Sequence, residues 1–220
     1  MSTLTVNYLD VIERLPAGAM LRLQDVSWNE YEYLLTLMEA HPGHRVSYDG
    51  GRLTIMSPLF EHEYYKEFIC SLVRILSEEL GLALETAGST TFKRKQLAKG
   101  VEPDTCFYVQ NAARMIGRRK LDLNTDPPPD VVVEIDTTDE SLDKFSIYAA
   151  LGVPEIWRYD GQQAHFYERA ESSYQDIQNS RAFPSLSASS LTEAVEQSKT
   201  AGQTAALAAF RQRIQGSRAS

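Results

Sequence analysis

The chain is poor in cysteine: Cys70 and Cys106 are its only two, single and widely spaced. They cannot build a zinc knuckle alone, and in the cytoplasm both would stay reduced. Long apolar runs are missing too. The longest, Ala205–Phe210, is far short of a membrane span. Met1 to Ala19 has no basic region followed by an apolar stretch, so no secretion signal is expected and the expected location is cytoplasmic. Positive charge is in deficit overall: 22 Lys and Arg face 30 Asp and Glu, for a net charge of −8. Alone, that argues against a nucleic-acid partner, because phosphate binding draws on Lys and Arg. The average conceals an asymmetry. Residues 91–120 hold Lys93, Arg94, Lys95, Lys99, Arg114, Arg118, Arg119 and Lys120 against Glu102 and Asp104 only. A local field of one sign steers ligands of the other sign, although a solvated surface strip has the same composition.

What is present supports a globular protein. A hydrophobic share of 43% in 220 residues excludes wholesale disorder and allows one domain with appendages. Residues 1–26 read as an irregular N-terminal arm, 27–185 as the main domain and 186–220 as a C-terminal helical extension packed on it. Ser27-Trp28-Asn29-Glu30 has the form of a capping box opening a helix to about Ala40. Arg45–Tyr48 and Arg52–Met56 flank Asp49-Gly50-Gly51, a hairpin pattern. A long helix is expected from an N-cap at Ser57-Pro58 to a stop at Gly81, because Tyr65, Ile69, Leu72, Val73, Leu76 and Leu80 recur at helical spacing. Short β-rich runs follow at 83–86, 90–94 and 104–109, then a strand over 130–136, a helix over 142–151 and strands at 155–159 and 164–168. Beyond Pro184 the chain turns helical, with Leu207, Phe210 and Ile214 spaced for docking. This order suggests an α/β fold: a single mixed sheet flanked by helices.

The acids of the expected strands are the candidate site. Strand side chains alternate, so Val132, Glu134 and Asp136 share one face and Val131, Val133 and Ile135 the other. Both faces are apolar over 131–133, as in a strand covered on both sides. Two carboxylates at the end of such a strand are expensive unless a cation balances them. Asp104, held at the head of Thr105–Val109 by Pro103, makes the same case. A strand-borne Asp and, about 30 residues later, a strand-borne Glu suit Mg²⁺, which takes oxygen ligands; acids paired with Lys or Arg would leave the same pattern.

Pro103-Asp104 followed by Glu134-Ile135-Asp136 resembles the PD-(D/E)XK nuclease signature. More of the chain is similar to one bacterial branch, the Uma-type "putative restriction endonuclease" family, catalogued as a domain of unknown function. The stretches are Tyr48–Leu53, Ser57-Pro58 with Glu61-His62-Glu63, Gly88–Lys93, Glu102–Asp104, Pro129–Glu134, and Asp143-Lys144 through Tyr148–Tyr159, covering roughly residues 25–215. The resemblance implies a restriction-endonuclease-like core and an endonuclease that hydrolyses phosphodiester bonds in DNA with Mg²⁺ or Mn²⁺. Asp104, Glu134 and the Ile135 carbonyl would be the metal ligands, and the metal would activate the attacking water. His62 matches the family's helix histidine, and Glu61 or Glu63 the acid some relatives carry beside it. From the residues alone, His62 lies at the edge of an apolar helix face, where a satisfied boundary histidine is the ordinary case. His41 and His44 read as loop residues, and His165 falls in a late strand.

The pattern departs from the superfamily at one position. Lysine is expected two residues after the Glu, and Asp136 stands there. Such a lysine orients water and stabilises developing charge; a carboxylate could instead bind metal or act as a base. Lys144, one helical turn before Tyr148, is a migrated substitute, or else an exposed lysine beside Asp143. Lys93 and Lys95, taken to alternate onto one strand face, are a second source and candidate phosphate contacts. Tyr148, Trp157 and Tyr159 read as packing residues. The alternative function is a nuclease-derived module that binds nucleic acid or a partner without cleavage. A homodimer would suit cutting of both strands of a duplex.

Overall fold

The structure is a computed structural model, described for residues 8–39, 43–136 and 142–218. His41 and residues 1–7 of the expected arm lie outside the described residues. The rest of that arm is not irregular: it holds helix α1 (Tyr8–Glu13) and strand β1 (Met20–Leu23). Four residues with Arg22 among them carry little strand signal, and β1 exists because a neighbour pairs it, from Met20 opposite Met56 to Leu23 opposite Leu53. The capping box forms at Ser27 and Glu30 and opens α2 (Trp28–Met38). The hairpin of β2 (Arg45–Asp49) and β3 (Arg52–Met56) turns at Gly50 and Gly51, both at positive φ, where glycine carries no Cβ penalty.

Helix α3 (Phe60–Leu80) starts later than Ser57-Pro58 implies. Ser57 is used by the sheet margin, its amide donating to Ala19 and its carbonyl accepting from Gly18. The helix ends on left-handed Gly81 and buries Phe68, Ile69, Leu72, Val73 and Leu76, with Tyr65 and Leu80 partly covered. Then come β4 (Glu85–Thr86), β5 (Phe92–Arg94), β6 (Lys99–Val101) and β7 (Thr105–Tyr108). After the short α4 (Ala112–Met115), the three prolines lead into β8 (Val131–Ile135). Helix α5 (Leu142–Leu151) crosses to β9 (Glu155–Tyr159), followed by β10 (Ala164–Ala170) and β11 (Ser173–Ile177). The chain closes with α6 (Ala188–Ala201) and α7 (Gln203–Arg218).

The strands form two sheets, not the single one expected. An antiparallel five-stranded sheet runs β1-β3-β2-β6-β5, and a mixed six-stranded sheet runs β11-β10-β9-β8-β7-β4. Only β8 and β9 pair in parallel in the latter, the geometry a helical crossover imposes. Strand β8 is covered on both faces, as its apolar run requires. Val131, Val133 and Ile135 pack with α3, α6 and α7, while Val132 faces Ile147, Tyr148 and Leu151 of α5. A third core joins α1 and α2 to the five-stranded sheet through Ile12, Tyr31, Tyr48 and Ile55. Among the described residues no helix is long and apolar enough to cross a membrane.

Candidate active site

A cleft of about 220 Å³ opens where the two sheets meet. Its walls come from the five-stranded sheet (Arg45, Met56), the end of β8 (Glu134 to Asp136), His62 of α3 and Lys144 of α5. Sequence-distant residues reach it because the antiparallel β7–β8 ladder sets Thr105 opposite Val133. Asp104, just before β7, thereby arrives beside the end of β8, where its Oδ2 accepts from the Ile135 amide at 2.8 Å. Asp104 and Glu134 are each 1% exposed.

Each carboxylate meets a cation. Glu134 Oε2 accepts from Lys144 Nζ at 2.7 Å, and its Oε1 accepts from the Tyr148 hydroxyl. Lys144 and Tyr148, one turn apart on α5, grip Glu134 together, so Tyr148 is both packed and part of the site. Burial pushes the Glu134 carboxyl up to about 7, with the Asp104 charge adding and Lys144 opposing. For Lys144 burial works downward, but Glu134 and Asp104 outweigh it and hold the ammonium above its ordinary value. Asp136 accepts from Arg158 Nε at 3.0 Å, a pair that follows from the register setting Glu134 opposite Arg158. Arg45 Nε lies 3.4 Å from Asp104 Oδ1. The two are close enough to be an ion pair but too poorly aligned to bond, and both atoms are without a hydrogen-bond partner among the described residues. His62 is 7% exposed, and neither of its ring nitrogens has a partner there either.

Glu134, Asp136, Lys144 and His62 are therefore assembled around one cleft, with Asp104 buried beside it against Ile135 and Arg45. Lys93 and Lys95 are not: they line a separate depression, Lys93 is 3.2 Å from Glu32, and Lys95 leaves the strand in a 3₁₀ turn (Lys95–Leu97). The presumption that both project from one strand face is corrected, because β5 ends at Arg94. Much of the basic segment is internally engaged: Arg94 bonds the Leu123 carbonyl, Lys99 pairs with Asp49 and Arg118 with Asp126. Sequence reasoning missed Arg45. It opens a strand like any surface arginine, and only its contacts with Glu63 and Asp104, both distant in sequence, reveal it.

No group of three or more His, Cys, Asp or Glu among the described residues could hold a metal ion. A smaller set fits a hard divalent cation. Asp104, Glu134 and the Ile135 carbonyl are all oxygen donors, and Asp104 Oδ1 is buried without a hydrogen-bond partner among the described residues. Such ions commonly take one or two carboxylates and complete their shell with water and substrate oxygens.

Among solved structures, one described as a putative nuclease belonging to DUF820 from Anabaena variabilis is similar, at 16% identity over 67% of this chain and 89% of that chain, with a TM-score of 0.44. Nothing among the curated proteins matches. The family model Uma2, described as "Putative restriction endonuclease", matches residues 28–201, well over half of the chain. The described residues form a two-sheet α/β fold, and the chain belongs to that family.

Proposed function

We propose that this protein is a nuclease that hydrolyses phosphodiester bonds in DNA with Mg²⁺ or Mn²⁺. The observation that carries the reading is the placing of Glu134 and Lys144 in one cleft with Asp104 buried beside them, one of its oxygens without a hydrogen-bond partner among the described residues. Asp104, Glu134 and the Ile135 carbonyl hold the cation. When bound, the cation supplies Lewis-acid stabilisation of the phosphoryl oxygens and makes water acidic enough to attack. Lys144, fixed by Glu134, takes the place of the missing motif lysine and stabilises negative charge developing on the phosphate. Tyr148 holds Glu134 in its rotamer. His62 lines the cleft, and its ring nitrogens, buried and without a partner among the described residues, orient water or a leaving oxygen once substrate fills the site. Asp136, engaged by Arg158, keeps the end of β8 in place rather than serving as a base. Lys93 and Lys95 contact backbone phosphates away from the cleft, and a homodimer cuts both strands.

A second reading, a nuclease fold that binds without turnover, draws on the cation beside each carboxylate: Arg45 at Asp104, Lys144 at Glu134 and Arg158 at Asp136. Incubating supercoiled plasmid with the purified protein and Mg²⁺ or Mn²⁺ separates the two. The nuclease reading expects metal-dependent nicking that falls at least about 100-fold in Lys144→Met and disappears in Asp104→Ala with Glu134→Ala. Asp136→Asn is expected to act mainly on stability, by roughly 1–3 kcal/mol, because it removes the negative charge that faces buried Arg158. Metal-independent DNA binding with no cleavage supports the second reading. Cleavage unchanged in the double variant eliminates the first.

A further inference from the structure

Buried polar groups in native proteins are almost always bonded, so those that are not mark where something else binds. Of the buried side-chain nitrogens and oxygens without a partner among the described residues, four belong to Arg45, Asp104 and His62. All four therefore sit at or beside a single cleft. Arg45 is the unexpected member. Its guanidinium is 6% exposed and anchored at one end, Nη2 donating to Glu63 Oε1 at 3.0 Å while Lys66 steadies Glu63 from the other side. Nη1 reaches the His44 carbonyl at 3.4 Å. A guanidinium is a rigid planar fork, so these anchors determine the direction of Nε, which lies 3.4 Å from Asp104 Oδ1 with its N–H aimed off that oxygen.

Charge explains what that N–H is for. A divalent cation between Asp104 and Glu134 would neutralise both acids and leave Arg45 sharing Glu63 with Lys66. Glu63 balances one cation, Asp136 balances Arg158, and the cleft retains a surplus of positive charge from Arg45 and Lys144. We infer that Arg45, through its Nε, holds a non-bridging oxygen of the substrate phosphate in this cleft. The inference rests on the nuclease reading and deepens it: the substrate is anchored by a phosphate group lying between the metal ligands and the guanidinium. Without metal, the same arginine stands as the counter-ion of Asp104.

The test is fluorescence anisotropy of a labelled DNA duplex, titrated at several salt concentrations in Ca²⁺, whose looser coordination disfavours turnover. Parallel calorimetry with Mn²⁺ follows the metal site itself. Arg45→Gln is expected to weaken DNA binding about 10-fold and to make the plot of log affinity against log salt shallower by about 1, as loss of one phosphate contact does. Its Mn²⁺ affinity is expected to stay level or rise, since a competitor for Asp104 has gone. DNA affinity and salt slope equal to those of the unaltered protein would overturn the inference and leave Arg45 a counter-ion only, with the nuclease reading intact. An unaltered protein that binds neither Mn²⁺ nor DNA overturns both. Should Arg45→Gln fail to fold, Arg45→Lys replaces it. A lysine offers one compact ammonium in place of a planar fork whose Nη2 and Nε are separate donors, so affinity is expected to fall severalfold, and unchanged affinity overturns the inference.

Discussion

At the scale of residues, the site is a set of buried charges that satisfy one another incompletely. Burial holds the Glu134 carboxyl near 7. Metal binding requires the ionised form, so protons compete with the cation below that pH. Affinity for Mn²⁺ is therefore expected to rise with pH up to about 7 and then level off, with roughly 10-fold lost per unit on the acid side. Calorimetry at pH 5.5 and pH 8 checks this, and equal affinities at the two would mean Glu134 is not a ligand. The placing of the acids was legible in the sequence because both faces of 131–133 are apolar, and a carboxylate at the end of such a strand needs a compensating cation. Lys144 was legible through its spacing to Tyr148. Arg45 was not, because nothing local separates an arginine that starts a strand on the surface from one buried by partners elsewhere in the chain.

At the scale of elements, legibility followed the strength of the local pattern. Helix α5 and strand β9 lie where Leu142–Leu151 and Glu155–Tyr159 predict, since Gly152 ends the helix and Asp160-Gly161 ends the strand. Strands β6 and β11 went unread. Lys99-Gly100-Val101 is too short and too glycine-like, and Ser173–Ile177 is a polar edge strand shaped by its pairing with β10. Gly100 has a specific reason to lack a side chain. A Cβ there would overlap the Tyr31 hydroxyl and lie 2.9 Å from ring atom Cε1. Tyr31 cannot yield, being fully buried and stacked on Tyr48 at 4.7 Å. Gly100→Ala is thus expected to destabilise the fold by about 1–3 kcal/mol, read as a lowered midpoint in urea. An unchanged midpoint would mean that α2 does not pack on the five-stranded sheet as described.

At the scale of the molecule, the two sheets create the site. Neither the five-stranded sheet, which supplies Arg45, nor the six-stranded sheet, which supplies Glu134, holds the full set of charged groups, and α3 and α5 add His62 and Lys144 where the sheets meet. The sequence suggested one sheet because strand order along a chain says nothing about which edges pair, and the β2–β6 and β7–β8 contacts that separate the sheets are not local. This arrangement also localises charge: a chain with a net charge of −8 keeps Arg45, Lys144 and Arg158 around its cleft. The most direct measurement is anomalous diffraction from crystals soaked in Mn²⁺. The account predicts one peak about 2.1 Å from a carboxylate oxygen of Asp104 and one of Glu134, with Arg45 turned from Asp104. A peak elsewhere, or none while Arg45 and Lys144 still pair with those acids, would contradict it.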